Sequence, residues 1–174
     1  MARIDSRNRL REFQTRLAER LAHAKSAPVT ASRLGFQINQ ERYLIDLSEA
    51  GEIVSAQDIV PVPHTHDWYR GLINVRGSLI SAIDLSRFGG GAPTHVERES
   101  RIVLLSPTLD FNAGIIVTRM LGLHGTASWT QDTSAPANQH WQGALWRDEQ
   151  NLPWRELSLA ALTVNDQFLR ISPL

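Results

Sequence analysis

Trp68-Tyr69-Arg70-Gly71-Leu72-Ile73-Asn74-Val75-Arg76-Gly77-Ser78-Leu79-Ile80-Ser81-Ala82-Ile83-Asp84-Leu85 reads as two short apolar strands folded back on each other. Leu72–Arg76 and Leu79–Ile83 are the strands and Gly77-Ser78 is the tight turn between them. Toward the N-terminus, Glu52–Ser55 and Asp58–Val60 read as further strands, and Pro61 and Pro63 exclude a central strand after them. Earlier still, Leu34, Phe36 and Ile38 alternate with polar residues, as do Tyr43, Ile45 and Leu47 beyond a turn at Asn39-Gln40-Glu41, which is a hairpin pattern. Beyond Gly89-Gly90-Gly91, read as a hinge, strands are expected at Arg101–Leu105, Ala113–Val117, Arg119–His124, Gly143–Trp146 and Phe168–Ile171. Many short strands with regular turns indicate a mainly β barrel or sandwich.

The two halves echo one another. Trp68-x-x-Gly71-Leu72-Ile73 resembles Trp141-x-Gly143-Ala144-Leu145, and Gly71 to Asp84 spans the same thirteen positions as Gly143 to Glu156. Arg33-Leu34-Gly35-Phe36 aligns in the same way with Arg101-Ile102-Val103-Leu104. The expectation is two similar small barrels, approximate halves 31–90 and 98–174, with exchange of strands between them left open. Residues 1–30 differ in kind: Leu10, Phe13, Leu17, Leu21 and Ala24 recur at helical spacing among arginines, and Ala27-Pro28 ends the pattern, so an appended amphipathic helix is expected.

The chain has 174 residues with 18 basic and 18 acidic side chains, yet residues 1–33 hold eight basic against three acidic. A basic arm is one signal for nucleic acid, but here it lies along an ordinary amphipathic helix. No apolar run reaches the length of a membrane span and the charged N-terminus lacks a secretory h-region, so a cytoplasmic location is expected. With no cysteine, the chain has no thiolate nucleophile, disulfide or Cys-type zinc site.

Chemistry-bearing clusters are sparse. His64-x-His66-Asp67 offers three metal-ligand types in one turn, which keeps a metal-dependent enzyme as an alternative, although a loop HxH without a second spaced pair is more often a solvated turn. Asp84 and Glu156 precede short Leu-containing segments, where carboxylates accept backbone N–H bonds as helix caps. No phosphate loop or nucleophile elbow is present. Arg76, ending an apolar strand before a glycine turn, places a planar fork of donors within reach of a carboxylate, either Glu52 or Asp84 internally or one on a partner.

Glu52-Ile53-Val54, Ile59-Val60-Pro61-Val62-Pro63, Trp68-x-x-Gly71-Leu72-Ile73-Asn74-Val75-Arg76-Gly77 and Ile80-Ser81-Ala82-Ile83-Asp84-Leu85, in that order, closely resemble the CheW-like family of chemotaxis coupling proteins. The resemblance implies two five-stranded Src-homology-3-like barrels packed together over residues 31–174, with a short C-terminal helical segment. It implies a non-enzymatic adaptor without cofactor or metal, joining the cytoplasmic tip of a methyl-accepting chemoreceptor to the regulatory domain of a CheA-type histidine kinase, with no nucleic-acid partner and no insertion in the membrane. Partner-contact positions carried over by match are Glu52, Arg76 and Gly77, with Ile53, Leu72 and Val75 as apolar neighbours. The Arg-rich first segment resembles the variant of the family serving type IV pilus (twitching motility) systems; a flagellar coupling protein and a small-barrel nucleic-acid module are the alternatives.

Overall fold

The computed structural model describes residues 32–173. The expected N-terminal helix over residues 1–30 and its boundary therefore lie outside the described residues. The described chain forms eleven strands, β1 (Ser32–Ile38), β2 (Glu41–Asp46), β3 (Ala50–Ser55), β4 (Tyr69–Val75), β5 (Ser78–Ile83), β6 (Arg101–Leu105), β7 (Ala113–Val117), β8 (Arg119–Gly125), β9 (Thr130–Asp132), β10 (Gln142–Arg147) and β11 (Pro153–Leu157). Three short α-helices follow strands or close the chain, α1 (Leu85–Phe88), α2 (Leu159–Thr163) and α3 (Asp166–Leu169), and single 3-10 turns lie at Leu47–Glu49 and Pro107–Leu109.

Two sheets result, ordered β8-β1-β2-β11-β10-β9 (sheet A) and β3-β6-β7-β5-β4 (sheet B). The opening hairpin thus sits among strands of the second half, and β6 and β7 sit among strands of the first, so the halves exchange their leading hairpins. Replacing β1, β2, β3, β4 and β5 by β6, β7, β8, β10 and β11 turns one order into the other, including a parallel pairing at β2–β11 and at β5–β7. β9, beside β10, has its counterpart in the single bridge Val60↔Leu72; the expected strand Asp58–Val60 is only that bridge, because Pro61 removes the next ladder donor.

The echo read from sequence is out of register in both places. Asp84 N donates to Trp68 O and caps α1, while Ser158 N donates to Trp141 O and caps α2, so Ser158 and not Glu156 is equivalent to Asp84. The bulges in β4 and β10 match, but Gly143 sits one position earlier in its strand than Gly71, and the β10–β11 connection is five residues against two for β4–β5, which is how equal spacing misleads. Ser81↔Ala113 and Arg155↔Tyr43 then make Leu34 equivalent to Val103, so Arg33 matches Ile102 and not Arg101. A slip of one residue exchanges the two faces of a strand.

The main core lies between the sheets: Leu34, Phe36 and Ile38 of β1 meet Val103 and Leu105 of β6 and Ala113, Ile115 and Val117 of β7. Trp68, Trp141, Leu85, Leu159, Leu162 and Phe168 close its ends. Phe168 stacks on Trp68 (centroids 5.9 Å apart) and is fully buried in α3, so the strand expected at Phe168–Ile171 is a helix turn, begun by Asn165, whose side chain accepts the Gln167 and Phe168 amides. A second cluster, Ile73, Ile80, Ala82, Ile102, Leu104 and Ile116 with Ala56, fills the other face of sheet B. Gly89-Gly90-Gly91 is no loose hinge: its amides bond back to carbonyls of Leu85, Arg87 and Ser86 and end α1.

Candidate functional site

The β4–β5 connection is one position earlier than the sequence suggests. Val75 pairs with Ser78, leaving Arg76 and Gly77 as the two turn residues, with φ of 51° and 90°. Two successive left-handed residues match the twist of a two-residue hairpin. Asn74 fixes the turn, its Oδ1 accepting the Gly77 amide at 2.8 Å. Arg76 therefore leaves the strand and projects from the tip, with its side chain 82% exposed.

Its partner is supplied by a bulge. The β3–β6 register shifts between Ala50 and Ile53, and a Cβ on Gly51 would stand 2.8 Å from Leu105 O, so the chain needs glycine there. The bulge aims Glu52 at the turn, and Glu52 Oε1 accepts from Arg76 Nη2 at 3.0 Å. β3 and β4 are the two ends of sheet B, so this ion pair ties its edges together. Both side chains are well exposed, and such a pair contributes about 0–1 kcal/mol to stability. Its charges stay available to a partner.

The six positions carried over divide into two groups. Glu52, Ile53, Arg76 and Gly77 are exposed. Leu72 and Val75 are half-buried, Leu72 against the main core and Val75 against the sheet B cluster, so their packing is internal. Sequence reasoning passed over Val60 and Leu79, which expose more apolar surface than Ile53 does. The signal for Leu79 was the alternation itself, since Ile80 turns inward.

Asp84, the other carboxylate considered for Arg76, is wholly buried and serves a different arginine. It accepts from the Arg87 amide at 3.1 Å, from the Thr94 amide and hydroxyl at 2.7 Å each, and from Arg70 Nη1 at 3.3 Å. This fastens the connection between the halves onto α1. Glu156 caps nothing; it pairs with Arg33 at 2.9 Å and accepts the Ala144 amide. In the His64-x-His66-Asp67 turn, Asp67 is held by Arg87 and the His66 ring lies along Trp68, and no group of three metal-ligating side chains occurs among the described residues.

Comparison with known proteins agrees with this geometry. The family model described as CheW-like domain matches residues 33–163. The chain is 27% identical over 161 residues to protein PilI of Pseudomonas aeruginosa, covering 90% of this chain and 89% of that one. It is 28% identical over 90 residues to chemotaxis protein CheW of Thermotoga maritima, covering 52% and 58%. In fold it is similar to the scaffolding protein TtCheW of Thermoanaerobacter tengcongensis, with a TM-score of 0.63, 22% identity, and coverage of 74% and 89%. By the family model's span and the two-barrel topology, this chain belongs to the CheW-like domain family.

Proposed function

We propose that this chain is a non-enzymatic adaptor that holds the cytoplasmic tip of a methyl-accepting chemoreceptor and the regulatory domain of a CheA-type histidine kinase together, in a chemotaxis-type pathway controlling type IV pilus twitching motility. The observation that carries the pilus reading is the match to PilI along nearly the whole of both chains. The shorter match to CheW favours a second reading, a flagellar coupling protein. No helix among the described residues is long and apolar enough to cross a membrane, in keeping with an adaptor recruited to receptor arrays from the cytoplasm. Its mechanism is scaffolding: binding both partners at once lets a change in the receptor bias the kinase by the difference in affinity between their states.

The exposed group Glu52, Ile53, Arg76 and Gly77 is the receptor-contact surface in this reading, with Leu72 and Val75 supporting it from below. Titration calorimetry of the full chain against the kinase regulatory domain and against a receptor-tip fragment tests it. Binding of both is expected, with Arg76→Ala weakening the receptor by roughly 1–2 kcal/mol and leaving the melting temperature nearly unchanged because the ion pair is exposed. Failure to bind either partner overturns the adaptor reading. Deleting the gene separates the two pathways: loss of twitching with swimming intact supports the pilus system, and the reverse supports the flagellar one.

A further inference from the structure

Sheet A carries a cleft beside β10 and β11, at the place where sheet B holds a buried tyrosine. In sheet B, Tyr69 of β4 stands opposite the end of β5, is buried, and bonds through its hydroxyl to Ser81 at 3.1 Å. The equivalent residues of sheet A are Gln142 and Arg155, since Trp68 matches Trp141 and Asp84 matches Ser158. A glutamine does not fill the place of a tyrosine, and a cleft of about 250 Å³ opens there, lined by Glu41, Tyr43, Gln142, Leu145, Pro153 and Arg155 among others. Its size is below that of pockets for drug-sized ligands, so the occupant is small.

Two arginines line the cleft, Arg42, whose guanidinium lies over the Trp154 ring, and Arg155. Arg33, Arg70, Arg76, Arg87 and Arg147 each lie 2.5–3.3 Å from a carboxylate. Arg155 is half-buried and has no carboxylate within 4 Å among the described residues. Its Nη1 donates to Ala135 O at 3.1 Å and Gly143 O at 3.2 Å, which fixes the guanidinium in place and leaves Nη2 and Nε without an acceptor among the described residues. The carboxylate in the lining, Glu41, is already engaged by the Tyr43 hydroxyl. A half-buried cation with an oriented, unused pair of donors is the chemistry that takes up an oxyanion bidentately, and the Gln142 carboxamide beside it adds a neutral donor.

We propose that this cleft is a binding site for a small oxyanion, carboxylate or phosphate, held by Arg155 with Gln142 beside it and Leu145 and Pro153 against the rest of the molecule. The site is separate from the Glu52–Arg76 surface and does not depend on the adaptor reading.

The test is thermal unfolding of the full chain in inorganic phosphate and in citrate, each at ionic strength matched with chloride. The expected result is a saturable rise in melting temperature of about 3–6 °C at ten times the dissociation constant, lost in Arg155→Gln and kept in Arg119→Gln, which alters an exposed arginine elsewhere. A response to phosphate alone assigns a phosphoryl ligand and a response to citrate alone a carboxylate. A rise that survives Arg155→Gln, or no rise with either anion, overturns the proposal. Should Arg155→Gln fail to fold, the Arg155 Nε–H resonance of the unaltered protein is followed by NMR during the same titrations; a saturable movement supports the site, and a stationary signal removes it.

Discussion

The two barrels share a strand order and differ in what fills them. Inside sheet B the side chains are aliphatic: Ile73 faces Ile80, and Ala82, Ile102, Leu104 and Ile116 complete the cluster. The equivalent positions of sheet A hold Trp146 facing Trp154, then Glu156, Arg33, Gly35 and Asp46. Gly35 leaves the space its Leu104 counterpart fills, and His124 and Trp154 occupy it; a Cβ at Gly35 would come within 2.6 Å of the His124 ring. Gly114 plays the reciprocal part, since a Cβ there would meet Ile102 at 2.4 Å, while its counterpart in sheet A is the fully buried Leu44. Topology is therefore set by features common to both halves, the alternation toward the inter-sheet core and the paired caps, and it tolerates opposite interiors.

The largest test of that equivalence is at the caps. Asp84 and Ser158 begin equivalent helices, but Asp84 is a buried charge with four donors while the Ser158 hydroxyl accepts one amide, from Ala161. Asp84→Ala strands Arg70 and two Thr94 donors and is expected to cost about 3–5 kcal/mol. Ser158→Ala is expected to cost about 1 kcal/mol. Denaturant unfolding of both variants gives the ratio; equal losses would show that the caps act alike and that burial of Asp84 contributes nothing.

A smaller effect is expected at the interior ion pair. Glu156→Ala removes the carboxylate from Arg33, whose Nε is buried without a partner and whose side chain is 25% exposed. The expected loss is about 2–3 kcal/mol, below the full value for a buried pair because water reaches the guanidinium. Double substitution to Ile at 33 and Ala at 156, the residues sheet B carries at these places, should recover most of it. No recovery would mean that the aromatic filling of sheet A requires the charges.

What the sequence disclosed follows from the same contrast. Strands with clean alternation or a continuous apolar run were legible: Arg101–Leu105 and Ala113–Val117 have the bounds expected of them. β9 and β11 were not, because Thr130–Asp132 is a three-residue edge strand and Pro153–Leu157 carries Arg155 and Glu156 where an apolar pattern would look for aliphatics. The glycine turn pointed to a carboxylate for Arg76 without choosing between Glu52, Asp84 and a partner, because the bulge that aims Glu52 depends on pairing with a strand about fifty residues away and leaves no local mark. The Arg155 cleft was invisible for a related reason, since it exists only by difference from Tyr69 and Ser81 once the register of both sheets is known.

The smallest expected effect concerns acid. Three carboxylates of sheet A and its connections are held below their ordinary range: Asp132 down to about 2 by the Ser134 hydroxyl and amide and by Arg147, Asp46 by the Ser48 hydroxyl and amide, and Asp148 by bonds from Trp154, Leu152 and Gln150 that outweigh its desolvation. A group with a depressed folded-state pKa stabilises fully above its unfolded value and loses that contribution as pH falls toward the folded one. For Asp132 that window runs from its ordinary 3.8 down to about 2. Asp46 is exposed and Asp132 and Asp148 are half-buried at the surface of sheet A, so the change is modest: between pH 5 and pH 2, amide exchange should quicken in β9 and the Asp148–Leu152 turn before it quickens in β5–β7. Hydrogen exchange followed by NMR at both pH values reads this directly, after correction for the intrinsic pH dependence of exchange. Simultaneous loosening of both sheets would show that the two interiors unfold as one unit, leaving the chemical difference between them without consequence for local stability.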